Sequence, residues 1–418
     1  MKERLDGLAV GPGVWAMADQ GTVSLGNFLT NVFLARALAP TEYGIYALIF
    51  GLLLVLNSFH ASLVTYPLSV KAAPADQAAL RRFAGGSLLL TILFALPMGA
   101  VVLGAAHILG TPRIGPWAVL ALLLWQAQET TRRALMAHLR HRDALWGDTL
   151  SYLGQAALVW AFASTGRLTP DAAFAIMAFT SGMAAAVQAI QLCLWSARFE
   201  GTRSFIKSYW ELGRWVLFSN VLSIFTIQAF PWTLAFFHGP AQAGALQALI
   251  NLLGVSHPVM FSVGNLIVPA AARAHREGGV KAARQSALSY GTQGAALLLP
   301  YYAALVLWPK VALRIFYGAT SPYVDLTAAL RFFVLAYTFI YFAQVLGSFL
   351  NGLEESRSTF LVQTAAALAA LTIGLPFAAW LGVTGACAGF LTVNLVRFST
   401  GAFFVTRLWE APQKAASL

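Results

Sequence analysis

The chain contains a succession of apolar runs of membrane length, and few architectures can accommodate them. The runs fall at roughly 14–37, 43–68, 83–109, 114–137, 147–165, 171–195, 213–237, 243–270, 286–309, 328–350, 358–380 and 383–406, about twelve in all. A helix needs about 20 mainly apolar residues to cross a bilayer. Gly, Pro and charge separate the runs, whereas a membrane barrel would show short segments of period two. Composition agrees, with 58% hydrophobic and 10% charged residues, against about 25% charged in a soluble protein. The expected fold is an all-α polytopic membrane protein of about twelve transmembrane helices. The N-terminal MKERLDGLAVGPG lacks a short apolar core ending in a cleavage site. The first run is therefore expected to be a retained span rather than a signal peptide.

Loop charge orients the spans. The formal net charge is +11. The basic residues gather in KAAPADQAALRR (71–82), RRALMAHLRHR (132–142), ARFEGTRSFIKSYWELGR (197–214) and RAHREGGVKAAR (273–284). These are all even-numbered loops, and with the two termini and Arg357 they place about 20 of the 27 Lys+Arg on one side. The positive-inside rule puts both termini in the cytoplasm, next to anionic membrane lipids. No basic run interleaves with aromatics, which excludes nucleic acid as a partner. Cys193 and Cys387 sit far apart in apolar runs, and no metal spacing, disulfide framework, phosphate loop or HExxH pattern occurs. No metal or cofactor is expected.

The two halves resemble each other. APTEYGIYALIFGLLLVLNS (39–58) aligns with GPAQAGALQALINLLGVSHP (239–258), matching Pro40 to Pro240, Gly44 to Gly244 and Leu52 to Leu252. Pro67 falls near Pro269, and AALRRFAGGSL (78–88) resembles KAARQSALSYG (281–291). The expected organisation is two six-helix bundles, 1–200 and 201–418. Six is even, so the repeats run parallel, an arrangement that lets transporters place a cavity between two bundles.

The first run is the most polar, with Asp19, Gln20, Ser24, Asn27 and Asn31 ahead of Arg36. At about 100° per residue, Gln20, Ser24, Asn27 and Asn31 share a stripe about 60° wide. In hydrocarbon each unpaired polar group costs several kcal/mol, so this face does not meet lipid. Either the stripe bonds neighbouring helices or it lines a water-filled cavity for a polar solute. Its extent over most of the span favours the cavity. Ser219, Ser223 and Thr226 repeat the pattern in the seventh run, beside Asn220 and ahead of Pro231.

The fourth run turns polar at Gln126, Gln128, Glu129, Arg132 and Arg133. Glu129 can pair with Arg132 or Arg133 at helical spacing. The arginines are either a charged helix end or a floor for an anionic head group, since guanidinium forks suit phosphate. The tenth run carries Gln344, Ser348, Asn351 and Glu354 at the same period without the cations, and Leu353 aligns near Leu139. Arg397 lies within the last run near Asn394, where an arginine must face protein or water. Asp19 is the leading acid for ion coupling, with Glu129 second. His60 and His257 read as core residues, and Arg36 with Glu42 as a local pair. The external loops APTEYG, GTPRIG, STGRLTP and FHGPAQ are too short for a folded domain.

NFLTNVFLARALAPTEYGIYAL (27–48) resembles the first two spans of Wzx-type polysaccharide flippases of the MOP superfamily, which also holds the MATE exporters. GPAQAGALQALINLLG and the late GLEESRSTFLVQ with GVTGACAG are similar to that family too. The resemblance implies a bacterial inner-membrane transporter, not an enzyme. Its substrate would be an undecaprenyl-diphosphate-linked oligosaccharide, flipped to the periplasmic leaflet by ion-coupled alternating access beside a polysaccharide polymerase. Gln20, Ser24, Asn27, Asn31, Arg132, Arg133, Gln344, Asn351 and Arg397 would meet the substrate, and Asp19 and Glu129 the coupling ion. Few cations lie deep in the spans, which departs from the positive cavity that family implies. The alternative is a MATE-type drug exporter, in which Asp19 would matter more. A glycosyltransferase or polymerase would need a sizeable external loop.

Overall fold

The computed structural model describes residues 12–196 and 202–415, and every described element is helical or a turn. In chain order the helices are α1 (Pro12–Ala37), α2 (Pro40–His60), α3 (Tyr66–Ala72), α4 (Gln77–Ile108), α5 (Ile114–Ala137), α6 (His141–Asp148), α7 (Gly154–Ser164) and α8 (Pro170–Leu192). The second half continues with α9 (Thr202–His238), α10 (Pro240–Gly254), α11 (His257–Leu307), α12 (Pro309–Tyr317), α13 (Thr327–Gly352), α14 (Ser356–Ala369) and α15 (Leu375–Ala415). Local chemistry sets the helix starts. Proline stands first in α2, α8 and α10, where its missing N–H costs nothing. The Asp76 side chain accepts from Ala79 N at 2.7 Å, and Thr169 from Ala172 N at 3.3 Å. Glu42 accepts from Ala39 N at 3.2 Å, so it caps α2.

Three π-helical turns, Ala61–Thr65, Thr149–Leu153 and Ala370–Gly374, join α2 to α3, α6 to α7 and α14 to α15 into continuous rods. Conversely, α11 breaks at Gly278 and Gly279 (φ 69°) and α15 at Gly382 (φ 63°). Rods and breaks together give fourteen helical segments among the described residues; taking α10 with the first part of α11 as one bent span, and setting aside the nine-residue α12, leaves twelve. Five helices are long and apolar enough to cross a membrane alone, and α10 with α11 passes as a pair bent by 57°. These six rods hold eight of the twelve expected spans. The four that fail are α1, α5, α6–α7 and α9, the helices that carry polar groups along their length.

The chain divides into two compact units, residues 1–228 and 229–418. The sequence places the division at 200/201, but the structure places it inside α9. The first part of α9 is built into unit 1. Its Tyr209 joins the core with Val64, Leu68, Leu80 and Leu135 and hydrogen-bonds Ser87 at 3.0 Å. Further along, Asn220 Nδ2 donates to Ser62 Oγ at 3.2 Å. The last turns of α9 belong to unit 2, where Phe230 stacks on Phe390 at 4.1 Å. The side chains of Ser219, Ser223 and Thr226 lie outside the described residues, so the echo of the stripe is not described.

Unit 2 packs α13 between α11 and α15. Tyrosine hydroxyls there donate to backbone carbonyls of neighbouring helices: Tyr341 to Gly291 at 2.5 Å, Tyr301 to Leu252 at 2.6 Å and Tyr317 to Ala248 at 2.7 Å. Such bonds satisfy polar groups that lipid cannot.

Candidate functional site

The polar groups of unit 1 converge where α1, α5 and α6 meet. Arg132 is the centre and is only 6% exposed. Its Nη2 donates to Asp19 Oδ2 on α1 at 2.8 Å and its Nη1 to Glu129 Oε1 on α5 at 3.3 Å. Its Nε donates to Asp148 Oδ2 on α6. One planar fork thus holds three carboxylates. Arg133 reaches Glu129 at 3.7 Å, so both spacings expected of Glu129 are used. Asp148 Oδ1 also accepts from Gln128 Nε2 at 3.2 Å and from Gln188 Nε2 at 3.4 Å. Ser151 donates to Gln128 Oε1 and Thr131 to Gln188 Oε1, both at 2.8 Å. The amides are therefore fixed with their N–H groups toward the acid.

The charge count does not close. Three carboxylates face two guanidiniums, and Arg133 is 47% exposed. Asp19 is 1% exposed, and its Oδ1 has no donor among the described residues. Asp19 and Asp148 are bonded by two nitrogens of the same Arg132 guanidinium, so the two carboxylates are near neighbours.

The α1 stripe leads away from this cluster. Gln20 and Asn27 are exposed, Ser24 is half-buried and Asn31 is buried. Gln20 donates to Ser24 at 3.5 Å, and Asn31 Nδ2 to the backbone of Asn27 at 2.9 Å. Both bonds stay on α1, so among the described residues the stripe bonds no neighbouring helix and remains open along Gln20, Ser24 and Asn27. At its deep end a cavity of about 20 Å³ is lined by Asn27, Asn31, Tyr46, Trp125, Tyr152 and Gln155. That is room for one water-sized occupant. Asn31 Oδ1 is buried there without a donor. Tyr152, in the cavity wall, accepts from Trp125 Nε1 at 3.4 Å.

A second buried network backs α5. His60 Nε2 meets Thr91 at 2.8 Å and Thr130 at 3.4 Å, and His60 is fully buried at the end of α2. It is a core histidine with an ordered hydroxyl pair. His257 contacts Tyr337 at 3.1 Å in unit 2.

Unit 2 carries a neutral version of the cluster. Leu139 (φ 57°) and Glu354 (φ 62°) form the same left-handed turn after α5 and α13, which fixes the register between the halves. Counting back equally from each turn, Gly347 stands where unit 1 has Arg132, and Gln344 where it has Glu129. Gln344 Nε2 donates to the Met260 backbone at 2.9 Å. Asn351 is exposed and accepts from Thr359 at 3.0 Å. Arg397 is half-buried in α15 and makes no ion pair or hydrogen bond among the described residues. The structure thus gathers Asp19, Glu129, Arg132 and Arg133, strings Gln20, Ser24, Asn27 and Asn31 along one open helix, and shows no hydrogen bond joining Gln344, Asn351 and Arg397 among the described residues. The sequence reading missed Asp148, Gln188 and Tyr152. The signal for Asp148 was an acid inside the fifth apolar run, with a surplus of arginine on the fourth.

Solved structures share this architecture. An inward-facing multidrug resistance MATE family transporter of the MOP superfamily matches with a TM-score of 0.71 at 15% identity, covering 93% of this chain and 96% of that one. The lipid II flippase MurJ, in an inward closed conformation, matches with a TM-score of 0.75 at 11% identity, covering 94% and 87%. The chain shares the fold of these two proteins. A MOP superfamily transporter from Pyrococcus furiosus, described as having a binding pocket of reverse polarity, matches with a TM-score of 0.58 at 14% identity, covering 94% of each chain. No family model and no curated protein matches the sequence. In the MOP fold the neighbours have twelve helices in two bundles, which agrees with the twelve segments here.

Proposed function

We propose that the chain flips an undecaprenyl-diphosphate-linked oligosaccharide from the cytoplasmic to the periplasmic leaflet by alternating access, supplying surface polysaccharide assembly beside a polymerase. The observation that carries this reading is the open stripe of Gln20, Ser24 and Asn27, which presents uncharged amides and a hydroxyl with no helix to bond. Sugar hydroxyls both donate and accept, and such groups match them. Arg133, exposed at 47%, and Arg397, without an ion pair among the described residues, are the cations suited to the diphosphate. The Asp19–Arg132–Asp148–Glu129 cluster is the coupling element. A proton held between Asp19 and Asp148 balances the surplus carboxylate, and its release would change the hold of Arg132 on α1. Asp19→Asn keeps a hydrogen-bonding group at that position but cannot exchange the proton. It should fold and lose dependence on the proton gradient; a variant that keeps that dependence removes Asp19 from coupling.

A second reading, a cation-coupled exporter of small molecules, draws on the likeness to the MATE transporter and on the same carboxylate surplus. It is weakened because Asp19 and Asp148 are buried against Arg132, out of reach of a cationic drug. Depletion of the protein separates the two. Flipping requires complete undecaprenyl-diphosphate-linked units to accumulate on the cytoplasmic face of spheroplasts, measured by mass spectrometry. Unchanged lipid-linked pools with raised drug sensitivity would favour the exporter.

A further inference from the structure

Unit 2 contains a second, larger cavity that the transport reading does not use. A cleft of about 450 Å³ opens between α11, α13 and α15. Its walls are Ala287, Leu288, Leu346, Ala402 and Val405, and Arg284 stands at one end. Exposed Lys281 lies one turn before Arg284 on α11. Leu288 is 49% exposed at the rim. The small side chains of Ala287 and Ala402 leave the space.

We propose that this cleft binds the acyl-chain segment of an anionic phospholipid, with its phosphate at Arg284 and Lys281. An apolar wall open beside exposed leucine is filled by hydrocarbon in a bilayer, not by water. At about 450 Å³ and with apolar walls, the cleft has room for a segment of an acyl chain. The cations sit at one end only, as a lipid with an anionic head and apolar tail requires. The inference concerns a bound lipid, not the transported one, and stands apart from the substrate reading.

Native mass spectrometry of the full chain, released from mild detergent, tests it with phosphatidylglycerol and phosphatidylcholine of identical chains. The wild type should retain one phosphatidylglycerol with at least fivefold preference over phosphatidylcholine. Arg284→Gln should reduce that preference below twofold. Ala402→Trp should lower retention of both lipids at least fivefold. Where Ala402→Trp fails to fold, Val405→Cys in a Cys193→Ser background, alkylated after purification, fills the cleft of protein already folded and should show the same loss. Wild-type retention in the filled cleft overturns the proposal. So does displacement of phosphatidylglycerol by undecaprenyl phosphate at equal concentration, which would make the cleft a substrate-chain site.

Discussion

Arg132 and Arg133 are neighbours in sequence and opposite in situation. Arg132 is buried among three carboxylates, while Arg133 keeps half its side chain exposed. Removing a buried partner strands the remaining charges, at a cost of about 3–5 kcal/mol. Arg132→Ala is therefore expected to lower the thermal midpoint and the protein level, whereas Arg133→Ala stays within about 0.5 kcal/mol of wild type and loses export. Equal stability of the two variants, read by thermal melting in detergent, would contradict the network. The α1 stripe makes a second demand. Cysteines at Gln20, Ser24 and Asn27, in a background without Cys193 and Cys387, should react with a water-soluble thiol reagent, and one at the buried Asn31 should react at least tenfold slower. Protection at all four would return the stripe to interhelical bonding. The stripe is legible in the sequence because helical periodicity is local. The partners of Arg132 are not, because Asp19 and Asp148 reach it only through the packing of three helices.

At the scale of elements, α1 is held to unit 1 by a close approach of backbones. A Cβ on Gly26 would lie 2.6 Å from the Tyr152 carbonyl carbon, in the π turn between α6 and α7. That turn carries Ser151 and Tyr152 and follows directly on Asp148, so contact at Gly26 sets the register of the cluster against Asp19. Gly26→Val is expected to cost about 1–3 kcal/mol through overpacking and to impair transport along with stability. A melt unchanged from wild type would show that α1 does not depend on this approach. π turns occur often at functional sites, but an apolar sequence such as TLSYL does not announce one. The extent of α9 is hidden for a related reason. The basic loop before it reads as a linker, while Tyr209 and Asn220, which tie it into unit 1, gain meaning only once α3 and α4 are in place.

At the scale of the whole molecule, the repeat, the twelve segments and the presence of two units follow from hydropathy and turn chemistry, both of which are local properties of the chain. The unequal chemistry of the halves is only partly legible in the same way. Gln344 and Asn351 mark the stripe in α13, yet Gly347 in the place of Arg132 emerges only from the matching left-handed turns at Leu139 and Glu354. Among the described residues the ionisable cluster lies in unit 1, and the proposed coupling element with it. Loop charge predicts both termini in the cytoplasm. A C-terminal green fluorescent protein fusion should therefore fluoresce, and an alkaline phosphatase fusion at the same point should be inactive; the reverse pattern would invert the topology. The most direct test of the account is flipping itself. Purified protein would be reconstituted into liposomes with undecaprenyl-diphosphate-linked oligosaccharide, and the sugar exposed on the outer leaflet measured with a membrane-impermeant glycosidase over time. The account expects the protected half of the sugar to become cleavable at a rate that depends on protein and falls at least tenfold in Asn27→Leu/Asn31→Leu. A protected half that stays protected with folded wild-type protein, under an imposed proton gradient of either direction, would contradict it.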